Sequence, residues 1–122
     1  MASLKQTTPR VKPRSKPDLE GQLLQQIRIH GLPIPTLQFR ALPSRRFRWD
    51  MAWIDHRLLL EVQGGVWTGG KHGRGSGILK DHEKLNLASA NGFRTIQVSA
   101  TTIKNGLAVL WIIAALEGVG AI

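Results

Sequence analysis

The chain has no cysteine. That excludes disulfides, thiolate-bound zinc and a cysteine nucleophile, and it agrees with a reducing cytosol. Acid is scarce. Eight Asp+Glu stand against seventeen Lys+Arg, a formal net charge of +9. Such a surface attracts polyanions, nucleic acid first and anionic membrane second. Charge alone does not choose among partners, since structural RNA binders share this balance. Long apolar runs are also missing: the longest, Leu107 to Leu116, is too short to span a bilayer. The N-terminus is polar and basic and lacks the apolar core of a secretory leader, so a cytoplasmic protein is expected. A length of 122 residues with 42% hydrophobic composition suits one domain with a real core and is too short for two.

Residues 1–17 carry Arg10, Lys12, Arg14 and Lys16 among three prolines and no acid, which reads as an extended basic arm ahead of a single domain over 18–122. It is either a solubilising tail or a DNA-contacting arm. A helix is predicted from near Ser15, with Ser15 to Asp18 at capping-box spacing and Gly31 as its stop. Leu19, Leu23, Leu24 and Ile27 form its apolar stripe, and Glu20 lies in that stripe. Two readings of Glu20 stand: a solvated first-turn acid favoured by the helix dipole, or an inward carboxylate that needs a cation.

Three strands are predicted at about 36–41, 47–54 and 58–63, punctuated by prolines 33, 35 and 43. Alternation puts Phe47, Trp49, Met51 and Trp53 on one face and Asp50 on the other. Asp50 on the second strand and Glu61 on the third are costly residues for buried strands. They meet on one face only if the hairpin loop has an even number of residues. The stretch 64–77, GGVWTGGKHGRGSG, holds seven glycines with Lys71, His72 and Arg74. It is either a plain connection or a loop that follows a phosphate backbone; it lacks the ending of a P-loop. A helix over about 79–91 carries Asp81, Lys84, Leu85 and Ala88 on one face, and a strand follows at 94–98. One last helix, capped by Ser99 or Thr101 and running to about Glu117, is apolar nearly all round, as suits a core element or a subunit contact.

A helix, three antiparallel strands, a helix and a strand thus bring carboxylates from three elements into play. Phosphodiester hydrolysis needs an activated water and a clamp for developing negative charge. Divalent cations supply both, and hard cations take oxygen ligands.

Asp50, the following EVQ at Glu61 to Gln63, and the downstream segment GGVWTGGKHGRGSGILKDHEKLNLASANGFRTIQVS together resemble the PD-(D/E)XK nuclease superfamily, in particular its small phage and bacterial endonucleases. The resemblance covers about residues 18–100. It implies an α/β fold with a restriction-endonuclease-like core, a mixed four- to five-stranded sheet flanked by helices. It implies Asp50 and Glu61 as metal ligands, the main-chain carbonyl of Val62 completing the shell, and Glu20 holding a second metal or a metal-bound water. The cofactor would be Mg²⁺, with Mn²⁺ substituting, and no organic cofactor. The chain departs from the pattern twice. Trp49 stands where a proline is usual, and Gln63 stands where the motif has lysine. A glutamine can orient water but brings no charge. Either Lys84 reaches in from the next helix, positioned by Asp81, or the metal alone carries the charge, or the fold is a catalytically dead binder.

The expected function is a metal-dependent endodeoxyribonuclease. Minimal length, the basic arm and the apolar last helix resemble the archaeal-like and phage Holliday junction resolvases, which nick four-way junctions as homodimers. The partner would be branched DNA rather than a membrane, in a bacterial host's cytoplasm if the gene is phage-borne. Arg45, Arg46 and Lys80 join Arg10, Lys12, Arg14, Lys16, Lys71, His72 and Arg74 as candidate phosphate contacts. The alternatives are a mismatch or very-short-patch nicking enzyme, against which the missing cysteine argues, and a basic DNA-binding module without chemistry.

Overall fold

The computed structural model describes residues 18–63 and 76–118. The expected arm, the cap at Ser15 and the glycine-rich stretch with Lys71, His72 and Arg74 lie outside the described residues.

The first helix, α1, spans Leu19–Ile29. Its N-cap is Asp18, whose carboxylate accepts from the Gly21 N–H at 2.9 Å. It closes in a Schellman motif: Leu32 N–H donates to the Ile27 carbonyl and Gly31 N–H to that of Arg28, with Gly31 at φ +68°. Strands β1 (Thr36–Phe39), β2 (Trp49–Trp53) and β3 (Leu58–Gln63) follow, then helix α2 (Ser76–Ala90) and strand β4 (Arg94–Ser99). Helix α2 ends as α1 does, Phe93 N–H donating to the Ala88 carbonyl and Gly92 N–H to that of Ser89.

The expected single last helix is two, α3 (Ala100–Lys104) and α4 (Leu107–Glu117). Ser99 caps α3 in a capping box with Thr102. Asn105 and Gly106 break the run: Gly106 sits at φ +88°, and the Asn105 side chain accepts from the Leu107 N–H at 3.0 Å.

The four strands form one mixed sheet in the order β1-β2-β3-β4. The first two pairings are antiparallel and β3 pairs with β4 in parallel, Glu61 opposite Gln97 and Gln63 opposite Ser99. A parallel neighbour requires a crossover, and α2 makes it. The chain is therefore α/β, with helices flanking a four-stranded mixed sheet.

The hairpin has the even parity that the paired acids need. Trp53 faces Leu58 across a four-residue connection, Ile54–His56 in a 3₁₀ turn and Arg57 at φ +51°. Arg57 locks this turn to the end of α2. Its guanidinium donates to the Asn91 carbonyl and lies over the Phe93 ring at 4.0 Å.

Apolar residues cover both faces of the sheet. On one, Leu23 and Ile27 of α1 and Ile103, Ala108 and Ile112 of α3 and α4 pack on Met51, Trp53, Leu58, Leu60 and Val98. On the other, Ala88 of α2 packs with Leu42, Trp49, Ala52 and Leu59. Trp49 and Phe47 do not share a face with Met51 and Trp53, as simple alternation expects. The reason lies at Asp50. The β2–β3 ladder stops at Met51–Leu60, and the Asp50 side chain itself takes the Val62 N–H at 2.7 Å. Opposite Asp50, between the pairs Leu37–Met51 and Phe39–Trp49, Gln38 sits at φ +50°. The pleat is broken there, and Trp49 turns toward α2.

Leu60 is fully buried on the central strand. Leu60→Ala should cost about 2–5 kcal/mol of unfolding free energy, read by urea denaturation with an unchanged slope.

Candidate functional site

Three elements deliver the site. Strand β3 carries Glu61 toward α2, the face that Leu59 also occupies. Helix α2 sends Lys84 back to meet it. The Lys84 ammonium donates to both Glu61 oxygens, at 2.7 and 2.9 Å, and to the Arg48 carbonyl at 2.8 Å. It lies 4.8 Å from the centre of the Trp49 ring. The two side chains are 16% and 26% exposed, so water screens this pair less than a surface one. Asp81 was the expected positioner of Lys84. Among the described residues it makes no ion pair with it; the carbonyl and the aromatic face next to Asp50 hold the lysine instead. This depends on the broken pleat, because only a reversed Trp49 lies on the α2 side.

Asp50 is the centre of a second set of contacts. One of its oxygens takes the Val62 N–H at 2.7 Å, and the other faces the Gln38 side-chain amide at 3.3 Å. That same amide nitrogen lies 3.1 Å from a Glu20 oxygen. Glu20 of α1 and Asp50 of β2 are thus joined through one NH₂ group. Among the described residues no ion pair reaches either acid.

Burial pushes the Glu61 carboxyl above its ordinary range. The hydrogen bond and charge of Lys84 oppose that, while Asp50 and Asp81 add to it. Burial also raises Glu20, helped by the charge of Asp50 and opposed by the Gln38 hydrogen bond.

A cleft of about 640 Å³ opens at this end of the sheet. Glu61, Val62, Gln63, Asp81, Lys84, Gln97 and Trp111 are among its walls. Gln63 is exposed, and its amide donates to the Gln97 side chain on β4. It brings no charge to the site; Lys84 does.

Divalent cations place definite demands on a donor set. Among the described residues, no three Asp, Glu or His side chains converge closely enough to hold an ion by themselves. The acids present are oxygen donors from separate elements, two of them addressed to one point by a shared amide nitrogen. That suits Mg²⁺, which keeps several waters and is usually bound by one or two carboxylates. It does not suit a cation that demands a closed protein cage. Asp50 with Glu61 or Glu20 would hold it. The Val62 main chain lies beside Asp50, its N–H already bound to that carboxylate.

The structure joins Glu20 to Asp50 through Gln38 and Asp50 to the Val62 N–H, and it pairs Lys84 with Glu61; of these residues Glu61, Val62 and Lys84 line the cleft with Gln63, and Glu20 and Asp50 do not. The phosphate candidates divide. Arg46 and Lys80 are exposed, but Arg45 is bound to Glu83 and lies over Phe47. Sequence reasoning missed Gln38 and the Trp49 ring. Gln38 left no readable sign, since Thr36, Leu37, Gln38 and Phe39 alternate polar and apolar as an ordinary strand does. Comparison with family models, curated proteins and solved structures returned no match.

Glu20 yields a test of the site's electrostatics. Its carboxyl is raised in the fold, so the native state keeps this proton to higher pH than the unfolded chain does. Stability from this group is greatest below the unfolded-state value and is lost as pH rises through the folded-state value. Glu20→Gln removes that loss and keeps an acceptor for Gln38. The variant should melt higher than wild type near neutral pH, and the difference should close below about pH 4, where carboxyls of unfolded chains take up protons. Calorimetry across that range checks it.

Proposed function

We propose that this protein is a Mg²⁺-dependent, structure-specific DNA endonuclease of the PD-(D/E)XK type that nicks four-way junctions as a homodimer. The observation that carries the reading is Lys84, whose ammonium sits 2.7 Å from Glu61 and so brings to β3 the charge that Gln63 lacks. Lys84 would in this way stand in for the lysine of the motif. The element order and the mixed sheet are compatible with a restriction-endonuclease-like core.

In this reading Asp50 and Glu61 would hold the cation, which would supply an activated water and neutralise charge on the phosphate. Lys84 keeps a fixed positive charge against the scissile phosphate as negative charge builds there. Gln63 orients the water through its amide. The formal charge of +9 draws the DNA backbone in. The exposed Leu107, Leu110 and Trp111 of α4 support an apolar contact between two copies. Among the described residues no helix is long and apolar enough to cross a membrane.

The test is cleavage of a labelled four-way junction beside a linear duplex, with Mg²⁺ or with chelator. Paired symmetric nicks confined to the junction and lost with chelator are expected. Asp50→Asn and Glu61→Gln should abolish cleavage while junction binding persists, and Lys84→Ala should slow it about 10²- to 10³-fold. Equal activity in wild type and the acid variants sinks the proposal. Binding without cleavage in the wild type would instead make the protein a basic binding module.

A further inference from the structure

The connection between β1 and β2, residues 40–48, reads RALPSRRFR, with four arginines and no acid. The arginines divide by where their guanidinium groups go. Arg40 turns back on the loop and donates to the Pro43 carbonyl at 3.1 Å and the Arg45 carbonyl at 2.8 Å. Arg45 pairs with Glu83 of α2 and lies over the Phe47 ring, 5.8 Å from its centre. A turn closes between them, the Arg45 N–H donating to the Leu42 carbonyl at 2.9 Å. Leu42 is buried with Ala88 of α2, and Phe47 meets Trp49 edge to face. The loop is thus held to one shape by its own side chains. Arg46 and Arg48 take no part in this scaffolding. Both are exposed, and among the described residues no ion pair reaches either.

We infer that loop 40–48 is the docking surface for a duplex arm of the substrate, with Arg46 and Arg48 on its phosphates. The inference rests on the DNA reading above, and on neither its metal nor its chemistry. Guanidinium groups match phosphate oxygens two at a time, and a loop already held in shape loses little freedom on binding. The loop offers nothing to a lipid or to an unstacked base, because its large apolar side chains, Leu42 and Phe47, are packed against the protein. That leaves a partner met through its backbone charge, which a duplex presents at high density. The loop also leads to the site. The Arg48 carbonyl receives the Lys84 ammonium at 2.8 Å, and Lys84 holds Glu61. The residue that contacts the DNA is therefore the one that seats the lysine proposed to act on it.

The experiment is fluorescence anisotropy of a labelled linear duplex with the full-length protein, in chelator so that nothing is cut, from about 0.05 to 0.2 M salt. A single strand of the same length and sedimentation with phosphatidylserine vesicles run beside it. Wild type is compared with Arg46→Ala, Arg48→Ala, Arg46→Lys, Arg48→Lys and Lys104→Ala. Lys104→Ala is an equal loss of charge on α3, which packs on the other face of the sheet from Leu42. Each loop alanine variant should bind the duplex about five- to tenfold more weakly near 0.1 M salt, and its slope of log affinity against log salt should be shallower by about 0.9. The lysine variants keep the charge and should keep the slope. Lys104→Ala should match wild type, and the single strand should bind more weakly than the duplex. All variants should melt with wild type, since both loop side chains are exposed. Loop alanine variants no weaker than Lys104→Ala, or a single strand bound as tightly as the duplex, overturn the inference, while duplex binding by wild type leaves the DNA reading standing. Wild type that binds neither nucleic acid, or sediments with vesicles in place of binding DNA, overturns both.

Discussion

A carboxylate that replaces a ladder hydrogen bond organises this molecule. Asp50 accepts the Val62 N–H where a strand carbonyl would ordinarily do so. Charge-assisted bonds of this kind are short and strong, and this one ends the β2–β3 ladder at Met51–Leu60. The consequences are geometric. The pleat reverses, Trp49 leaves the face of Met51 and joins Ala88 and Leu59 under α2, and its ring becomes one wall of the seat for Lys84. The Arg48 carbonyl, one residue earlier, becomes another. One substitution of side chain for backbone thus fixes the acid, the aromatic and the cation together.

The site is unevenly balanced in charge. Glu61 has an ammonium on both oxygens, whereas Glu20 and Asp50 share an amide. Folding therefore holds Glu20 in an arrangement that disfavours its ionised form. Groups held against their own electrostatics are common where function rather than stability sets the residue. The cores on both faces make this tolerable: all the largest fully buried side chains are apolar or aromatic.

Much of this was legible in the chain. Strand β3 could be read from period and spacing; the parity of the hairpin stayed open because it depends on the loop, and Lys84 was one of three ways to account for the charge that Gln63 does not bring. The reversal at Asp50 could not, because alternation assumes that backbone pairs with backbone. The positioner of Lys84 was misread for the same reason: Asp81 is near in sequence, while the Arg48 carbonyl and Trp49 are near only after the pleat breaks. Gln38 was hidden because nothing in its identity announces a positive φ. The split between α3 and α4 was readable, since Asn105-Gly106 is a turn dipeptide, but an almost continuous apolar run masked it. The ammonium that meets Glu61 comes from 23 residues downstream, so no reading local to β3 contains it.

The seat of Lys84 has a shape as well as a charge. A compact ammonium has three donors that can point in separate directions, and Lys84 directs them to the two oxygens of Glu61 and the carbonyl of Arg48. A guanidinium is flat and wider, with its donors fixed in one plane. It would have to meet the carboxylate, the Arg48 carbonyl and the Trp49 ring with donors fixed in one plane. Shape as well as charge therefore suits a lysine to this seat, its three donors matching two carboxylate oxygens and one carbonyl.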